Sequence, residues 1–193
     1  MAANEYQFVT RWLVDGDVRE VAVILGDPLD LVRWWPSVYL DAREMQAGDH
    51  GSAGRRIELL TKGWLPYTLR WRFLITEWHP PAGFSLEAEG DFNGRGVWAF
   101  RQDGPQVSVI YDWRVRADKP LLRYLSLVFK PMFAANHRWA MAMGERSLKL
   151  ELARRHAKTP GELARIAAPP GPTPASPVAF LVKLPVLLLR GGS

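Results

Sequence analysis

The chain has 193 residues, 48% of them hydrophobic, with nine tryptophans, no cysteine and a formal net charge of +5. That length suits one domain with an extension, and the missing cysteines exclude disulfides, thiolate catalysis and cysteine-held zinc or iron–sulfur centres, a composition that suits a cytoplasmic protein. The basic excess is scattered in short pairs such as Arg55-Arg56, Arg70/Arg72, Arg114/Arg116 and Arg154-Arg155, the pattern of a solvated face, so no nucleic acid is expected as a partner.

Residues 1–8 carry Glu5 and no apolar run, so no secretory leader is expected there. Tyr6 to Val14 alternates rings with polar residues and stops at Asp15-Gly16, a strand and a turn. Asp17 can cap a helix that runs to Leu25, and Gly26-Asp27-Pro28 separates it from a second short helix, Leu29 to Trp34, closed by Trp35-Pro36. Ser37 to Met45 reads as a strand, followed by a loop marked by Gly48, Gly51 and Gly54 without the helix that a phosphate-binding loop needs.

From Arg55 onward the period is two. Ile57 and Leu59 share a face, and Lys62-Gly63-Trp64-Leu65-Pro66 makes a turn with an apolar tip. Tyr67, Leu69, Trp71, Phe73 and Ile75 then alternate with arginines and threonines. Phe84, Leu86 and Ala88 follow, then Gly96, Trp98 and Phe100, and after Asp103-Gly104-Pro105 come Val107, Val109, Tyr111, Trp113 and Val115. Strands in sequence with short turns make an antiparallel meander. Pro120 to Lys158 is helix-patterned. Phe133, His137, Met141, Gly144, Leu148 and Leu152 recur every three or four residues, and Arg138, Glu145, Arg146 and Lys149 lie opposite. Ala140, Gly144 and Ser147 make the centre of the buried face small, which predicts a hollow.

Beyond this helix, residues 159–177 are rich in proline, alanine and glycine and read as a linker with little fixed structure. Residues 178–193 form an apolar tail. Its run from Ala179 to Leu189 is too short to cross a bilayer, so residues 179–190 either pack on a protein surface or dock on a membrane or partner with Lys183 and Arg190 at the headgroups.

The order of elements, together with Trp34-Trp35-Pro36, the glycine turn at 48–54, Gly96-x-Trp98-x-Phe100 and Tyr111-Asp112-Trp113-x-Val115-Arg116, resembles the START/Bet v 1-like (SRPBCC) superfamily, in particular its polyketide cyclase/dehydrase-like bacterial branch. The resemblance covers residues 4–156 and implies an α+β helix-grip fold: a curved antiparallel sheet of about seven strands wrapped around a long C-terminal helix, with two short helices after the first strand. It also implies a cavity for an apolar ligand such as a lipid, a polyketide or an aromatic compound.

The alternation reaches the same cavity from the residues themselves. Tyr67, Trp71, Trp98, Tyr111 and Trp113 belong to its sheet side and Phe133, His137, Ala140, Met141 and Gly144 to its helix side, with Trp64, Leu65 and Phe92 as a gate. A cyclase or dehydratase needs an inward proton carrier. Glu58, Glu87, Glu89 and Asp112 fall on the outer face, which leaves His137 and Tyr111 as the catalytic candidates. No HExxH or GxSxG motif occurs, and His50, His79 and His156 fall in loops or at a helix end, so neither a metal nor a cofactor is expected. The expectation is a binder of a hydrophobic small molecule. The alternatives are an enzyme of the cyclase type and a docking module acting through its tail.

Overall fold

The computed structural model describes residues 5–49, 53–117 and 120–174; the side chains of Phe92 and of residues 117–130 lie outside the described set. A strand, β1 (Glu5–Asp15), is followed by two short helices, α1 (Val18–Leu25) and α2 (Leu31–Trp34). Six strands follow, β2 (Tyr39–Gln46), β3 (Arg56–Lys62), β4 (Thr68–His79), β5 (Gly83–Gly90), β6 (Phe92–Asp103) and β7 (Gln106–Ala117), then a long helix, α3 (Pro120–His156), and a short one, α4 (Pro160–Arg165). The strands form one antiparallel sheet in the order β1-β7-β6-β5-β4-β3-β2. The helix-grip arrangement implied by the sequence is the one observed.

The two-residue period decides which side chains enter the core. On β1, Tyr6, Trp12 and Val14 are buried while Val9 and Leu13 face out; on β3, Ile57, Leu59 and Thr61 are buried; on β7, Val107, Val109, Tyr111 and Trp113. The sheet curls tightly around that apolar face. Trp71 of β4 and Trp113 of β7 stand three strands apart, roughly 14 Å at the usual strand spacing, yet their ring centroids approach to 5.8 Å. Gly96 permits one of the close approaches this requires, because a β-carbon there would lie 2.8 Å from the hydroxyl of Tyr111 on the neighbouring strand.

The helices close the open side. Asp17 caps α1 by accepting from the backbone N–H of Arg19 at 2.7 Å, and α1 buries Val21, Ala22, Ile24 and Leu25. Trp34 of α2 and Trp35, which caps its C-terminal end, enter the core, where Trp35 meets Trp12 edge-on at 5.6 Å. The inner face of α3 carries Met141, Gly144, Ser147, Leu148 and Leu152 buried, with Arg138, Arg146 and Lys149 exposed opposite, as its sequence period predicts. Glu151, on the same inner face, accepts two hydrogen bonds from Arg33 of α2 at 2.6 and 2.8 Å and one from Arg155 at 2.9 Å, which fastens α2 to the end of the helix.

The segment after α3 carries more order than its composition predicts. Thr159 caps α4 by accepting from the N–H of Glu162, and the Glu162 carboxylate accepts from the N–H of Lys158, a reciprocal cap written into Thr159-Pro-Gly-Glu162. Residues 166–174 then return along the domain, tied at both ends by hydrogen bonds. The apolar tail, residues 178–193, lies outside the described residues.

Candidate functional site

Between the curl of the sheet and the middle of α3 lies a cavity of about 180 Å³. The sheet contributes Tyr6 and Phe8 from β1, Thr61 and Lys62 from β3, Leu69 and Trp71 from β4, and Tyr111, Trp113 and Val115 from β7, with Tyr67 from the β3–β4 turn. The helix contributes Phe133, Asn136, His137, Ala140 and Met141, and Trp35, Val38 and Tyr39 close the inner end. Rings dominate the lining and no Asp or Glu is among these residues.

The residues expected at the site divide into two groups. Tyr67, Trp71, Tyr111, Trp113, Phe133, His137, Ala140 and Met141 come together around the cavity. Trp98 and Gly144 do not. Trp98 lies one layer deeper, stacked on Tyr111 at 4.0 Å and 16°, so it supports a wall residue rather than facing the space. It borders instead a separate void of about 40 Å³ with Leu25, Leu31, Phe84 and Leu86. Gly144 is no hollow either, because the indole of Trp35 occupies the place a side chain would take, with Cζ2 2.2 Å from the position of a β-carbon.

The expected gate is also rearranged. Trp64 is 41% exposed, but Leu65 is buried at 4% and its backbone N–H donates to Asn136 Oδ1 at 3.2 Å, which holds the apolar tip down on α3. The Phe92 side chain lies outside the described residues, as does His50.

Tyr6, Phe8, Trp35, Tyr39 and Lys62 line the cavity without having been singled out. The alternation of Tyr6 and Phe8 along β1 carried that signal, since β1 pairs with β7, the strand of Tyr111 and Trp113. Nothing local marks Lys62, the residue before a turn, because what buries it comes from more than 100 positions away in the chain.

Burial holds the phenols and the imidazole inside in their neutral forms. Burial pushes the Tyr111 phenol well above its ordinary range, with the nearby Tyr39 phenol adding to the shift. Tyr39 is pushed up by burial, and Tyr67 by burial and then by its neighbour Tyr6. His137 moves the other way, down to about 4, first through burial and then through the charge of Arg138. Its ring stacks flat on Phe8 at 4.1 Å and 13°. Trp71 donates its Nε1–H to Thr61 Oγ1 at 3.0 Å, so that indole is satisfied by the wall itself. Among the described residues no three His, Asp or Glu side chains gather as a metal site, and no helix is long and apolar enough to cross a membrane.

This is the helix-grip fold, which solved structures of START superfamily and aromatase/cyclase proteins share. The structure is similar to the Zhui aromatase/cyclase from Streptomyces sp. R1128 at a TM-score of 0.62, with 13% identity over 80% of this chain and 97% of that one. It is similar to a conserved protein from Geobacillus kaustophilus at 0.61, with 15% identity over 79% and 98%. A START superfamily protein from Mycobacterium smegmatis matches at 0.59, with 12% identity over 77% and 98%. At such identities the likeness establishes the fold. No protein-family model and no curated protein matches the sequence.

Proposed function

We propose that this protein binds a small hydrophobic molecule, of the size of one or two fused aromatic rings, between its sheet and α3. The observation that carries the reading is the cavity itself, about 180 Å³ lined mainly by aromatic and aliphatic side chains, with a few neutral polar groups and Lys62 at its rim. An apolar engineered cavity of roughly 150 Å³ stays dry and takes up benzene, so this one has room for a somewhat larger ring system. Burial of apolar area supplies affinity, and Tyr67, Tyr111 and His137 supply orientation.

Binding is favoured over catalysis by the state of His137. A proton carrier works best with a pKa near the operating pH, and His137, at about 4, stays neutral with a weakly basic ring and no carboxylate among the lining residues to orient it. The test is a thermal-shift and calorimetric titration with 2-naphthol and indole, on the full chain and on Ala140→Leu, which grows into the cavity. Stabilisation of the wild type that rises with probe concentration and disappears in Ala140→Leu supports the reading. No shift with either probe, or an equal shift in the variant, overturns it. His137→Ala is expected to change affinity by less than about tenfold, the loss of one neutral hydrogen bond.

A further inference from the structure

At the rim of the cavity one lysine ties together two distant parts of the chain. Lys62 is the last residue of β3, lines the cavity and is only 8% exposed. Its Nζ donates to the carbonyl oxygens of Thr173 at 2.6 Å and Pro174 at 3.1 Å, while the Thr173 hydroxyl donates to the carbonyl of Gly63 at 3.1 Å. The segment that bears these carbonyls is anchored at its other end by Arg154, whose Nη2 donates to the carbonyls of Ala167 at 2.9 Å and Ile166 at 3.3 Å. Pro169, Pro170, Pro172 and Pro174 favour an extended chain between the anchors. At about 3.1 Å per residue, Ala167 to Thr173 reaches roughly 19 Å. Residues 166–174 are therefore a strap that runs from the C-terminal end of α3 to the cavity rim.

The charges at that rim do not balance. Among the described residues Lys62 has no carboxylate partner, and no acid lines the cavity. A buried ammonium satisfied only by neutral dipoles keeps part of its desolvation cost, whereas a hydrogen bond between two charged groups is roughly twice as strong as a neutral one. The outer-face arginines differ: Arg70 and Arg72 share Glu58, and Arg114 holds Asp112.

We propose that the cavity selects a small aromatic or short-chain carboxylate, whose acid group takes Lys62 from the carbonyls of Thr173 and Pro174 and so releases the strap. The four-carbon stem of lysine lets the ammonium turn from the strap to the cavity mouth. An anionic ligand brings its own negative oxygens to the ammonium, and these repel the two carbonyl oxygens already there. Ligand charge is thereby coupled to the position of residues 171–174, at the start of the stretch that leads into the apolar tail. This rests on the reading of the cavity as a ligand site.

The experiment compares 2-naphthoate with 2-naphthamide, equal in ring and nearly equal in shape, by calorimetry on the full chain and on Lys62→Met and Lys62→Gln. The wild type is expected to bind the acid about tenfold more tightly than the amide, and both variants to lose that preference while still binding the amide. Because the chain has no cysteine, Thr173→Cys places a single thiol on the strap, and its reaction rate with a disulfide dye is expected to rise several-fold with saturating 2-naphthoate and not with 2-naphthamide. Equal affinities for acid and amide in the wild type overturn the role of Lys62 and leave the cavity as a neutral-ligand site. A preference that persists in Lys62→Met or Lys62→Gln does the same. A thiol rate unmoved by bound 2-naphthoate overturns strap release. If neither these probes nor 2-naphthol bind, the ligand-site reading fails and this proposal fails with it; if either variant fails to fold, the acid–amide comparison in the wild type decides alone.

Discussion

The indole of Trp35 fills the space that a side chain at Gly144 would need, with Cζ2 2.2 Å from where a β-carbon would sit. Trp35 is itself buried and packed edge-on against Trp12 and Tyr39, so it has little freedom to withdraw. Alanine is favoured over glycine inside a helix by about 1 kcal/mol, but forcing a methyl into a filled core costs roughly 1–3 kcal/mol, and here the contact is with a rigid ring. Gly144→Ala is therefore expected to lower stability by about 1–2 kcal/mol net. Urea unfolding measures it; an unchanged or higher midpoint would show that the α2–α3 contact is looser than described.

A second contact between the same elements is electrostatic. Glu151 is 4% exposed and holds Arg33 through two hydrogen bonds and Arg155 through one. Burial pushes its carboxyl up, but the hydrogen bonds and charges of Arg33 and Arg155 outweigh this and leave it below its ordinary value. A depressed carboxyl contributes stability that is present above the unfolded pKa and is lost as pH falls through the folded one. Arg33→Met is expected to cost about 1–2 kcal/mol at neutral pH, below the range for a fully buried pair because Arg33 is 54% exposed. That difference from the wild type should shrink below pH 4.5. A cost that stays constant from pH 7 down to pH 3 would mean that Arg33 acts by packing and not by charge.

His137 gives a slope of the same sign for a different reason. Its ring is held neutral down to about 4, against an ordinary value of 6.5. Between those two values the unfolded chain binds a proton that the folded chain refuses, so stability falls as pH drops from 6.5 towards 4 and the loss is complete below that. The full difference is on the order of 3 kcal/mol as an upper bound. His137→Phe, which preserves the stack on Phe8, is expected to be less sensitive than the wild type to acid over this window, read as the melting temperature at pH 7, 6, 5 and 4. Parallel curves for the two proteins would show that the imidazole protonates freely in the folded state.

Most of the architecture was legible because it is periodic. The alternation through Tyr67–Ile75 and Val107–Val115 named the inner face of β4 and β7, and the three-to-four spacing from His137 to Leu152 named the inner face of α3. The wall residues Trp71, Trp113 and Met141 followed from that alone. What period cannot show is what fills a gap. Gly144 was expected to open a hollow, and a tryptophan from 109 residues earlier occupies it. Trp98 has the right parity but sits where the curl of the sheet stacks Tyr111 over it. Residues 166–174 have the composition of a linker, and their order comes from two basic side chains, Arg154 and Lys62, that reach their carbonyls from elsewhere in the fold. Backbone carbonyls carry no sequence signal, so such a tether is invisible until the chain is folded.

Asn136 joins the cavity wall to the turn above it. Its Oδ1 accepts the N–H of Leu65 at 3.2 Å, and Leu65 in turn accepts the N–H of Tyr67, a wall residue, at 2.9 Å. Without the amide the Leu65 N–H loses its partner, at a cost of about 1 kcal/mol, and the Trp64–Leu65 tip is held only by apolar packing. If that tip gates the cavity, Asn136→Ala should raise both the association and dissociation rates of 2-naphthol several-fold in stopped-flow fluorescence. The equilibrium affinity should hardly move, since the wall rings that contact the probe are untouched. A weaker affinity at an unchanged association rate would instead make Asn136 a direct ligand contact, and unchanged rates would place the entry path away from the β3–β4 turn.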